Sequence, residues 1–168
     1  MTNEITRRRP FGLLRQLITG WALLGGAILI GIVLVNVWAV IAPLIGMSFA
    51  GDFELTEVFI AIAAFMFLPY TQLMDENVTA DIFTSKAGPG TLRFLTAIAG
   101  VVALIFAGLL IWRMTFGMLD QKAYNATTAI LQLPIWLAYI PILISIALLG
   151  LAALLTIYDN TRGDSHVE

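Results

Sequence analysis

The sequence predicts an all-α integral membrane protein: four transmembrane helices with both termini cytoplasmic, in a single membrane domain over residues 1–168. Three observations lead there. The chain is 60% hydrophobic and only 12% charged, with a mean hydropathy of +0.92, and a soluble domain could not cover so much apolar surface. Its charges are segregated, so that long stretches carry none and the short polar segments beside them leave no room for a separate soluble domain. Backbone groups in lipid must be paired within the protein, which leaves helices or a closed barrel, and the apolar stretches lack the two-residue alternation of barrel strands.

The spans follow in order. No charged residue lies between Arg15 and Asp52, and Pro43 ends the helical pattern, which places the first span at about residues 17–42. The second runs over about 55–74 with Glu57 near its start, the third over about 92–112 and the fourth over about 133–157. A helix rises about 1.5 Å per residue, so about 20 residues cross a hydrocarbon core of about 30 Å, and each stretch is long enough. Ahead of the first span, Phe11, Leu14, Leu17 and Ile18 can share one helix face and Gly12, Arg15, Gln16 and Thr19 another, with Pro10 suited to the first helical position. That pattern predicts a short interfacial helix at the N-terminus, with a disordered basic tail as the alternative. Arg8 and Arg9 resemble a twin-arginine signal, but the apolar run behind them is far longer than a signal peptide's core of roughly 7 to 15 residues, so an uncleaved first span is expected.

Basic residues set the orientation. Arg7, Arg8, Arg9, Arg15, Lys86, Arg93 and Arg162 fall on one side and only Arg113 and Lys122 on the other, which puts both termini in the cytoplasm. Trp21 and Trp38 stand roughly 25 Å apart along a helix, one for each interface, unless these rings pack between helices. Trp112 and Trp136 would mark the outer surface, Tyr70 and Tyr158 the inner one.

The polar inventory excludes several functions. With no Cys and a single His, His166 near the end of the chain, disulfides, thiol chemistry and a bundle haem with paired axial His ligands are all excluded. No metal site is expected: Asp75, Asn77, Thr79 and Asp81 are spaced like the start of a calcium loop, but Ala80 and Lys86 stand where that loop needs glycine and an acid. Ser145 has no base near it in sequence, so no catalytic residue and no enzyme activity is predicted. Coupled carriers hold ionisable residues or broken helices near the midplane, and the centres of these spans hold no Asp, Glu, Lys, Arg or His. Asn36, the most polar group deep in the first span, reads as an interhelical hydrogen bond.

A partner role fits better. Ala99, Ala103 and Ala107 recur every four residues on the third span, and Ala22 with Gly26 and Ala27 with Gly31 make similar pairs on the first. Small residues at this spacing let membrane helices approach closely, within one chain or between two. Glu54 and Glu57 lie one turn apart near the N-terminus of the second span, where the helix dipole favours negative charge and where Arg113 or Lys122 could meet them.

The order of spans, the outer entry Glu54-Leu55-Thr56-Glu57, the inner segment Glu76-Asn77-Val78-Thr79-Ala80-Asp81 and the opening of the last span, Pro134-Ile135-Trp136-Leu137-Ala138-Tyr139-Ile140-Pro141, resemble the small membrane subunit of tripartite ATP-independent periplasmic (TRAP) transporters, the DctQ-like family. The resemblance covers nearly the whole chain. Where the family shows a His-x-x-x-Asp pattern, this chain has Asn77 and Asp81. It implies a bacterial inner-membrane scaffold without catalysis or cofactor. Its partners would be a large M-type membrane subunit carrying the sodium and substrate sites, a periplasmic P-type protein delivering an organic acid, and membrane phospholipids, with no nucleic acid. Asn36, Glu54, Glu57, Arg113, Ala99, Ala103 and Ala107 are the candidate interface residues. A small autonomous homo-oligomeric carrier or channel, and an assembly or anchor protein of another membrane complex, are the alternatives.

Overall fold

The computed structural model describes residues 12–47, 49–74 and 89–162, apart from the side chains of 89–94, 96 and 159–162. The segments holding Arg7 to Arg9, the Asp75 to Asp81 loop, Lys86 and His166 lie outside the described residues. Four helices among the described residues are long and apolar enough to cross a membrane. Among the described residues, strand-like pairing is confined to an isolated antiparallel bridge between Thr127 and Pro134.

Helix α1 covers Gly12–Ile41. Its first turns, where the sequence predicts a short interfacial helix leading into the first span, belong to the same continuous helix. Pro43 cannot donate to a fourth-neighbour carbonyl, so the chain tightens into a 3-10 turn over Ala42–Ile45. Gly46 closes it at φ +76°, a left-handed conformation open to glycine without a Cβ penalty. Helix α2, Asp52–Leu73, starts with Asp52 and Glu54 in its first turn and passes through Pro69 without a break.

Helix α3 covers Pro89–Ala123. The expected end near residue 112 marks only where the apolar run stops. The helix continues through Arg113 because no proline intervenes, and Lys122 in its last turn complements the negative end of the dipole. Helix α4, Trp136–Arg162, begins after Pro134 and also carries an internal proline, Pro141. Both loops that join helices at the far end from the termini, 46–51 and 124–135, therefore meet at one end of the molecule, called the hairpin end below.

The helices form a row rather than a closed ring. The chief contacts run α1 to α2, α2 to α4 and α4 to α3. The most apolar stretch of α4 is 39% buried against its neighbours, that of α1 and of α3 only 11%, so α4 is central and α1 and α3 are edges. Because lipid tails are as apolar as leucine, close packing rather than water exclusion holds such helices together. The small residues mark where. A Cβ on Gly25 of α1 would lie 3.0 Å from Met66 Cβ of α2, and one on Gly100 of α3 only 2.6 Å from Ile157 Cγ1 of α4. Further along the antiparallel α3 and α4 seam, Gly150 faces Ala107 and Gly117 faces the Tyr139 ring. A core of Ile62, Met66, Ala107, Ile142, Ile146 and Leu149 joins α2, α3 and α4. A second cluster nearer the termini, Ile18, Leu73, Ala152 and Leu155, ties α1 to α2 and α4.

Candidate functional site

At the hairpin end, residues 124–135 fold back on themselves. Thr128 N–H donates to Leu133 O, Ile135 N–H to Ala126 O, and the Thr128 hydroxyl accepts the Leu133 N–H. Asn125 and Gln132 take left-handed backbone at φ 48° and 56°, which turns the chain at either side of the tip. The tip would leave its own amides without partners. Glu54 supplies them: one carboxylate oxygen accepts the Ile130 N–H at 2.7 Å and the other the Leu131 N–H at 3.0 Å. Charge-assisted bonds of this kind are shorter and stronger than neutral ones.

Gly51 completes the clamp. It lies at φ +122°, and a Cβ there would sit 2.7 Å from Leu131 Cγ, so only glycine lets the hairpin settle over the start of α2. The acid that sequence reasoning set against Arg113 or Lys122 thus binds the backbone of the facing loop. Lys122 instead lies over the Trp136 ring, its ammonium 5.2 Å from the centroid, a cation–π contact between the end of α3 and the start of α4. Arg113 and Glu57 are both exposed.

Deeper in the row, polar side chains connect helices. Trp21 Nε1 donates to Ser145 Oγ at 2.9 Å, and that hydroxyl donates to Pro141 O at 2.7 Å. Trp21 therefore packs against α4 within the row. Ser145, fully buried, has a structural role here, linking the Trp21 indole to the Pro141 carbonyl. Asn36 Nδ2 donates to Thr56 Oγ1 at 2.8 Å and to Ile32 O at 2.9 Å, bridging α1 and α2.

The alanine stripe divides. Ala107 is buried in the core, Ala103 is half-buried and Ala99 is exposed, so only its far end lies in the α3 and α4 seam. On α1, Gly26 and Gly31 face open space while Gly25, which the sequence reading passed over, makes the close approach. Gly51, the Ile130 and Leu131 amides and the Trp21 to Ser145 bond were also missed. Gly51 alone left a trace in the sequence, as a glycine directly before the acidic start of a span. The whole arrangement can brace and bind; among the described residues no cluster of three or more His, Cys, Asp or Glu could hold a metal ion.

A family model described as tripartite ATP-independent periplasmic transporters, DctQ component, matches residues 29–163. No curated protein and no solved structure matches the chain.

Proposed function

The chain belongs to the DctQ component family of tripartite ATP-independent periplasmic transporters, and from that premise we propose that it is the noncatalytic brace of its transporter. It holds the large M-type subunit in place while that subunit moves sodium and an organic acid. It sits in the bacterial inner membrane with its termini in the cytoplasm, and its hairpin end offers the periplasmic P-type binding protein part of a docking surface.

One observation carries this reading. The polar side chains at membrane depth fasten helix to helix, Trp21 to Ser145 and Asn36 to Thr56, and the centres of the apolar stretches hold no Asp, Glu, Lys, Arg or His to couple an ion gradient. Broken helices, which carriers use to expose backbone to an ion, are also missing among the described residues, since α2 and α4 run unbroken through Pro69 and Pro141. The clamp supports the docking part, because Glu54 and Gly51 hold the hairpin in one shape before any partner arrives.

Proteoliposomes decide it. With a sodium gradient and binding protein present, the chain alone should move no organic acid, the large subunit alone little, and the two together should restore uptake. Gradient-driven uptake by the chain alone would make it an autonomous carrier and end the brace reading.

A further inference from the structure

Between the halves of α1 and α2 nearest the hairpin end lies an open groove of about 560 Å³, lined by Val33, Val37 and Ile60, with Asn36 and Thr56 on its wall. Its polar content is unbalanced. Asn36 Nδ2 uses both hydrogens, on Ile32 O and Thr56 Oγ1, and the Thr56 hydroxyl donates to Asp52 O. Among the described residues no donor reaches the Asn36 side-chain oxygen. An acceptor that faces acyl chains without a donor is unfavourable, because nothing in the hydrocarbon replaces the bond that water would give.

Glu57 adds a charge at the same depth. It follows Thr56 directly and is exposed, on the α2 face that also carries Phe53, 79% exposed, and Ile60, 47% exposed. Unlike Glu54, which the hairpin amides satisfy, this carboxylate stands on an apolar stripe with no ion pair from the described residues. The groove wall therefore asks for a hydrogen-bond donor, and the adjoining α2 face, where Glu57 stands next to the groove residue Thr56 but outside the lining itself, asks for a positive charge.

We propose that this groove seats one transmembrane helix of the large transport subunit, which brings a donor to the Asn36 side-chain oxygen and a Lys or Arg to Glu57. The inference rests on the reading that the chain pairs with a large subunit, and adds where and by what chemistry. Other occupants fit less well. An acyl chain offers no donor, and an anionic headgroup repels Glu57. A second copy packed symmetrically on this face would set acid against acid.

Photo-crosslinking in the intact complex tests this. p-Benzoylphenylalanine in place of Ile60 should give an adduct that mass spectrometry maps to a membrane segment of the large subunit containing Lys or Arg. The same probe in place of Ile105, on the exposed edge of α3, serves as the contrasting face. E57K should lower the large subunit recovered with the chain by about tenfold or more, E57Q by less, and reversing the charge of the crosslinked basic residue should rescue E57K. An Ile60 adduct with a second copy, with lipid alone or with a segment lacking Lys and Arg overturns the proposal. If the unaltered chain recovers no large subunit, the pairing itself fails. If it recovers one but crosslinks arise only from position 105, the pairing stands and the groove assignment falls.

Discussion

The carboxylate of Glu54 shows how one side chain can fix a loop that its own sequence cannot. The tip amides of Ile130 and Leu131 have no strand partner, and the acid reaches them from the first turn of another helix. In E54A those two amide protons should exchange with solvent about tenfold faster or more, while exchange within α4 stays as it was; equal protection in both proteins would mean that the hairpin holds its shape unaided. The buried hydroxyl of Ser145 is a second such case. S145A leaves the Trp21 indole N–H without its acceptor and should destabilise the chain by about 1 kcal/mol in a detergent unfolding titration. A double-mutant cycle with W21F should show that the two changes are not additive. Neither contact was legible in advance: Trp21 and Ser145 are separated by most of the chain, and nothing local marks which serine an indole will meet.

Helix positions were readable from the sequence, helix ends less so. An apolar run of about 20 residues can only be a span in lipid, since its backbone must be bonded internally. Where α3 stops is a different matter, because leaving the hydrocarbon does not break a helix; it ends at Ala123 beside a left-handed Asn125, after a continuation through Arg113. Contact faces were equally hard to assign. Successive residues turn by about 100° around a helix, so Gly25 and Gly26 point in different directions and only one of them meets α2. The seam between α3 and α4 makes the clearest element-level prediction. G100A should lose roughly 1 to 3 kcal/mol through overpacking against Ile157 and recover part of it when combined with I157A. G108A, whose added Cβ meets nothing within 4 Å, should not be destabilised in the same titration. Equal losses in both variants would show that α3 does not pack on α4 through Gly100.

For the whole molecule, four helices long enough to cross a membrane would put both termini on one side, and the excess of Arg and Lys on that side is our ground for proposing that it is the cytoplasm. A cysteine introduced at Ala126 should react with an impermeant thiol reagent in intact cells, whereas one at Ser165 should react only after lysis; the reverse pattern would invert the molecule. The row arrangement fits an accessory subunit. Edge helices α1 and α3 leave long apolar faces open, which a partner in the membrane can cover as well as lipid can.

By itself the sequence determined the solvent this protein folds in, the four apolar runs long enough to cross a membrane, the absence of thiol chemistry and a match to its family over most of the chain. Each of these depends on composition or on contiguous runs, which survive without knowledge of contacts. Tertiary structure alone decided that Glu54 grips a loop rather than a cation, that Gly25 rather than Gly26 makes the close approach, and that the helices stand in a row. Those outcomes depend on which faces meet, and in lipid an apolar face is equally at ease against a tail or a helix, so hydrophobicity cannot tell them apart.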